Sequence, residues 1–117
     1  MANAGIFVGF GQATRGREGL ALAAFNEALE YYGRLQQEGV IESFEPVLLD
    51  PHGGDLGGFI LLRGDRDRLA HLQATDEFRH LTLRAALCVD SIGTVGATLG
   101  DGLGPDMAFW SEEIAKL

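Results

Sequence analysis

Apolar positions alternate in the first segment of the chain. Gly5 to Gly11 reads Gly-Ile-Phe-Val-Gly-Phe-Gly, with Ile6, Val8 and Phe10 on one face and Phe7 among glycines on the other. A period of two predicts a strand. Past the polar turn at 12–17 the period changes. Leu22, Phe25, Leu29 and Tyr32 recur at three and four, Ala21, Ala28 and Leu35 widen the stripe, and Glu27, Glu30 and Arg34 take the opposite side. That spacing predicts a helix over Glu18 to Glu38, closed by Gly39 where positive φ is needed. Gly33 inside it costs about 1 kcal/mol relative to alanine, so it either admits a close neighbour or marks a weak point. Val40 to Asp50 is again extended, and Pro46 confines it to a sheet edge or a bulge. The turn Pro51-His52-Gly53-Gly54-Asp55 and the apolar run Leu56 to Arg63 complete a hairpin. A short helix follows over Arg66 to Gln73. A longer one starts at a Thr75 or Asp76 cap and runs to about Leu87, with Phe78, Leu81 and Ala85 inward. Val89 to Leu99 supplies a fourth strand. Glycines 100, 102 and 104 with Pro105 break the chain, and Met107, Trp110, Ile114 and Leu117 form a last amphipathic helix.

The order β-α-β-β-α-β plus a C-terminal helix, with no linker or repeat, predicts one α+β domain over residues 1–117 whose antiparallel sheet carries its main helices on one face. The strands are apolar on both faces: Phe7 opposes Ile6 and Val8, and Phe59 and Leu61 oppose Ile60 and Leu62. A sheet face left bare would exceed the few hundred Å² of contiguous apolar surface that monomers expose. An identical sheet is the economical cover, which predicts a homodimer with a barrel-like space between two sheets. The 17 glycines fall mostly in strands and turns, where they are expected to widen that space.

Charge narrows the range of partners. Nine basic residues against 17 acidic ones give −8, and the arginines are scattered from Arg15 to Arg84. Nucleic acid needs a concentrated positive stripe, so neither it nor an anionic membrane is expected as a partner. No apolar run approaches the roughly 20 residues of a membrane span, the N-terminus lacks a basic leader, and Cys88 is the single cysteine. A cytoplasmic location is expected.

The motifs that carry chemistry are incomplete. Gly9-Phe-Gly11-Gln-Ala-Thr14 lacks the third glycine of a dinucleotide fingerprint, and Gly11 to Gly16 is followed by Arg17 and Glu18 instead of the Lys and Ser/Thr of a phosphate loop. Asp50, His52 and Asp55 read as turn residues, with no fourth ligand at a fixed spacing, so no metal and no cofactor are expected. His71 and His80 lie nine residues apart on different helical segments, and Asp76 and His80 form an i, i+4 pair typical of a surface contact. Cys88, between Leu87 and Val89, reads as a small hydrophobe.

The element order, the doubly apolar strands, the hairpin Gly-Gly-Asp-Leu-Gly-Gly-Phe-Ile-Leu-Leu-Arg and the following Leu-Gln-Ala-Thr-Asp-Glu-Phe carry a resemblance. The chain resembles the dimeric α/β-barrel group of ferredoxin-like proteins, and more distantly antibiotic-biosynthesis monooxygenases and YCII-related proteins. Asp76 and Phe78 match the Asp and Phe of an Asp-Pro-Phe stretch typical of the last, with Glu77 in place of proline. The histidine expected on the first strand is absent, as is the tryptophan-led pattern before the oxygenases' second helix. The group includes cofactor-free oxygenases, isomerases, decarboxylases and haem-handling enzymes, so the resemblance implies a fold and not a reaction.

The leading expectation is a homodimer that binds a small apolar or aromatic ligand between its sheets, with Arg63, Arg79 and His80 as polar anchors near the ends of elements. The first alternative is a cofactor-free enzyme of the same fold acting on a small carbonyl or phenolic substrate, with His80 or His71 carrying the proton. The second is a regulatory or interaction module that offers Met107, Phe109 and Trp110 to a foreign partner.

Overall fold

A computed structural model describes residues 2–117. The elements are β1 (Ala4–Phe10), α1 (Glu18–Gln37), β2 (Ser43–Leu48), β3 (Gly58–Gly64), α2 (Arg66–Gln73), α3 (Asp76–Ala86), β4 (Gly93–Thr98) and, after one 3-10 turn at Gly100–Gly102, α4 (Leu103–Ala115). The strands form a single antiparallel sheet in the order β2-β3-β1-β4. Pro46 therefore sits on an edge strand, where an absent N–H costs no central ladder bond.

The alternation along β1 and β3 sorts the sheet into two faces. Ile6 pairs with Leu62 and Val8 with Ile60, and all four are buried beneath the helices. Tyr31, Tyr32 and Leu35 of α1, Leu69 and Leu72 of α2, and Phe78 and Leu81 of α3 close over them as one core. Each such side chain contributes about 1.5–3 kcal/mol when fully buried. Caps fix where the helices begin: the Asp65 carboxylate accepts from the Arg68 N–H at 3.1 Å, and the Thr75 hydroxyl oxygen from the Phe78 N–H at 3.4 Å. At the far end of α1, Gly39 takes φ +76°.

The expected strand Val40 to Asp50 shortens to β2, and the start of β4 differs most. Val89 to Ile92 is not strand, because Ser91 adopts φ +57° and breaks the extended run. The segment instead doubles back on the end of β1: Gly11 N–H donates to the Asp90 carbonyl and Asp90 N–H to that of Gln12, both at 2.8 Å.

The other sheet face is open. Phe7 and Phe59 stack on it with ring centroids 5.0 Å apart, flanked by half-buried Leu61 and Val47 and exposed Val95. The glycines of β1 do not leave empty space here, contrary to expectation. A β-carbon at Gly9 would come within 2.6 Å of the Phe7 ring, and one at Gly5 within 3.0 Å of Leu99 Cδ1. These positions are already filled by neighbouring side chains lying flat.

Helix α4 buries none of its residues. Leu103, Met107, Trp110 and Ile114 run along one stripe of it, each more than half exposed. The chain has a longest dimension of 51 Å and a radius of gyration of 15.9 Å, against about 13 Å for a compact domain of this length. Among the described residues, no helix is long and apolar enough to cross a membrane.

Candidate functional site

The feature best suited to hold a molecule lies between the sheet and helices α1 and α3. It is a hollow of about 310 Å³ whose floor is Val8, Phe10 and Ile60 and whose walls include Phe25, Ala28 and Tyr32 of α1 and Leu81, Thr82 and Ala85 of α3. Its origin is local. Ala21, Ala24 and Ala28 succeed one another on the inward side of α1, and Ala85 faces them from α3. Methyl groups where leucines would close the gap hold the helices over the sheet without filling the space beneath. The exposed Leu22 and Leu48 and the Glu18 carboxylate stand at its rim.

The polar inventory of the hollow is short. The Thr82 hydroxyl donates to the Phe78 carbonyl at 2.9 Å. Tyr32 is 2% exposed, its ring 5.6 Å from that of Tyr31 and 6.0 Å from that of Phe44. Burial, with a smaller contribution from Tyr31, pushes the Tyr32 phenol well above its ordinary range. Two other depressions lie on the outer surface. One of about 390 Å³ is walled by Arg17, Leu20, Leu87 and the Arg84–Glu27 ion pair, and one of about 300 Å³ by Glu30, Arg34 and Glu77. Both are ringed by solvated charges, so the hollow beneath α1 is the only one of the three with apolar walls on sheet and helices alike.

The residues singled out in the sequence are not brought together. Arg63 lies on the open sheet face, paired with Glu45 at 2.9 Å. Arg79 and His80 are exposed on α3, and His71 is exposed on α2. None of the four lines any of the three depressions. Cys88 is buried, its thiol 3.5 Å from the carbonyls of Arg84 and Ala85. His52 organises its own loop: Nδ1 accepts from the Gly54 N–H at 3.1 Å, which leaves the proton on Nε2, 2.7 Å from the Leu56 carbonyl. Both ring nitrogens are thereby engaged by backbone. Among the described residues no three His, Cys, Asp or Glu side chains gather as metal ligands.

The glycines after β1 have a different task from cradling phosphate. A β-carbon at Gly11 would come within 2.9 Å of the Asp55 and Asp90 carbonyl oxygens, and one at Gly57 within 2.7 Å of the Gly11 carbonyl. Three loops meet there, backbone against backbone, and the oxygens they turn inward would repel an anion.

The chain is similar in structure to a dimeric protein of unknown function and ferredoxin-like fold from Bacteroides fragilis. The TM-score is 0.61 at 17% identity, over 82% of this chain and 95% of that one. The protein has a ferredoxin-like fold. It is also similar to SnoaB, a cofactor-independent oxygenase from Streptomyces nogalater (TM-score 0.54, 14% identity, 86% of this chain and 96% of that one). A third likeness is to a Chloroflexus aurantiacus protein provisionally described as an antibiotic-biosynthesis monooxygenase (TM-score 0.53, 14% identity, 85% and 95%). The neighbours match the ferredoxin-like and monooxygenase resemblances read from the sequence. No family model matches the chain, so the YCII likeness rests on Asp76 and Phe78 alone. No curated protein matches it either.

Tyr32 belongs to the core stripe of α1, as its spacing predicts, and also lines the hollow, which that spacing does not announce. The available signal was the alanine series at 21, 24 and 28 on the inward face of the same helix.

Proposed function

We propose that this ferredoxin-like protein is a homodimer that binds a small apolar or aromatic molecule in the hollow between its sheet and helices α1 and α3. The carrying observation is the hollow itself: about 310 Å³, at the lower end of the range for small-molecule sites, with apolar walls and few polar groups. This moves the ligand from between two facing sheets, where the sequence alone suggested it, to the opposite side of each sheet. A two-ring probe such as 2-acetonaphthone tests the site. It should raise the melting temperature of the wild-type protein and leave Ala85→Phe, which fills the hollow, unmoved. Equal binding by both proteins, or none by the wild type, would refute the assignment.

The dimer reading rests on the open sheet face around the Phe7–Phe59 stack and on the apolar stripe of α4. Phe109 and Trp110 are each 65% exposed, and aromatic side chains of this kind bury about 150–250 Å² each. Leu99 passes over Gly5 on the open face and is joined to α4 by the single 3-10 turn. The dimeric state of the Bacteroides fragilis protein agrees with this reading. Sedimentation at micromolar concentration should give twice 12.5 kDa; a monomer that still exposes α4 would favour a foreign partner for that helix.

An enzyme that uses His71 or His80 as its proton carrier is the weaker reading, because both side chains are exposed and lie outside the hollow.

A further inference from the structure

We infer that the Tyr32 hydroxyl is the donor by which the hollow selects its guest: an otherwise apolar molecule carrying one neutral acceptor oxygen, such as a ketone carbonyl. This rests on the hollow being the ligand site, as proposed above.

The Tyr32 side chain is buried, yet its hydroxyl bonds to no other described residue. Buried hydroxyls almost always find a partner, and one left without costs about 1–3 kcal/mol. Other half-buried hydroxyls of the helical layer obey this rule. Thr82 donates to the Phe78 carbonyl at 2.9 Å and Thr75 to the Leu72 carbonyl at 2.7 Å. Tyr32, the largest of the fully buried side chains, makes no such bond among the described residues. Its oxygen is nevertheless not sealed in, since no buried side-chain oxygen or nitrogen lies both out of reach of water and without a partner. The space that Tyr32 borders is the hollow. A wall of Val8, Phe25, Ile60 and Leu81 around one free phenol is the arrangement of a small-molecule site that takes its affinity from apolar contact and its specificity from one polar group.

The hydroxyl that borders the hollow can donate to a guest. A phenol is neutral at physiological pH with or without burial, so it has a proton to give. A complementary guest group is an acceptor, and a neutral one is favoured, because Glu18 at the rim would oppose an anion.

Two isosteric probes separate this proposal from the one beneath it: 2-acetonaphthone and 2-isopropenylnaphthalene, which differ by a carbonyl oxygen against a methylene. Affinities for wild-type protein and Tyr32→Phe are read by fluorescence titration, and the carbonyl stretch of bound 2-acetonaphthone by infrared difference spectroscopy. Tyr32→Phe should lower affinity for the ketone roughly threefold to tenfold, the worth of one hydrogen bond. It should leave the hydrocarbon unchanged within twofold and remove the downshift of the carbonyl band. Because the hydroxyl has no partner in the free protein, the variant should fold at least as stably as the wild type. Equal loss of both probes would mean that Tyr32 only shapes the wall, and an unchanged ketone affinity would mean that it is not the donor; either overturns this inference while the site stands. Binding of neither probe to the wild type would overturn the site and the inference together.

Discussion

The Phe7 ring lies across the backbone of Gly9, so close that a β-carbon at position 9 would fall 2.6 Å from its Cε1 atom. The glycine lets Phe7 lie flat and stack on Phe59 at 29° between ring planes. Gly9→Ala should lift Phe7, break the stack and roughen the open sheet face. Overpacking of this kind costs about 1–3 kcal/mol. Urea denaturation should show that loss, and sedimentation should show weaker self-association. Wild-type stability and an unchanged association constant in the variant would mean that the face is not an interface.

Gly33 presents the opposite case. It lies within α1, and a β-carbon there would meet nothing within 4 Å. No neighbour requires its small size, so of the two readings open in the sequence the weak point is the one that holds. Gly33→Ala should stabilise the protein by about 0.5–1 kcal/mol, a rise of roughly 2–6 °C in melting temperature for a domain of this length. A fall in melting temperature would show that the glycine has a task the packing does not reveal.

The two glycines also mark how far the sequence can be read. Period and turn chemistry were enough for the element order, the Arg66 to Gln73 helix, the Thr75 cap, the edge position of Pro46 and the two-sided apolar strands, because each follows from local pattern. The start of β4 was not legible, because one residue, Ser91, takes a conformation that its type does not announce. The filling of Gly5 and Gly9 was hidden for another reason: it depends on which way Phe7 and Leu99 lie. The hollow proposed as the ligand site was legible least of all. A cavity is a deficit of volume, and only the alanine series of α1, once set against Ala85 of α3, betrays it. Arg63, Arg79 and His80 stand near ends of elements, yet position along an element does not say whether side chains from different elements meet: Arg63 lies on the open sheet face and the other two are exposed on α3.

Helix α4 carries a prediction of its own. Its apolar stripe makes no buried contact within the chain, so Met107→Lys with Trp110→Lys should leave the far-ultraviolet circular dichroism of the protein unchanged. If a second copy covers the stripe, two charges placed in a desolvated patch should raise the dimer dissociation constant at least tenfold. Sedimentation velocity over a dilution series reads this directly. An unaltered dimer would confine the interface to the sheet.

His52 offers a local test of the hairpin. With Nδ1 taken by the Gly54 N–H and Nε2 by the Leu56 carbonyl, the ring ties the loop from both sides, and a β-carbon at Gly54 would strike it at 2.6 Å. His52→Ala should speed hydrogen exchange at the Gly54 amide and leave that of Leu62, deep in the sheet, unchanged. A core amide that moves with Gly54 would show the loop to be coupled to global unfolding.

The two tyrosines set how the fold meets alkali. Burial raises the phenols of both Tyr31 and Tyr32 above their ordinary value of 10.0, Tyr32 the further. An unfolded chain releases these protons near pH 10, while the folded chain holds them to higher pH, so above pH 10 the unfolded state binds fewer protons. Stability must then fall as pH rises, by up to about 1.4 kcal/mol per unit for each group, and below pH 9 neither phenol contributes any pH dependence. Urea midpoints measured between pH 9 and pH 11 should show the decline, and Tyr32→Phe should remove part of its slope without moving the midpoint at pH 8 downward. A slope identical in the variant would mean that Tyr32 ionises as freely in the folded protein as in the unfolded chain and is not enclosed.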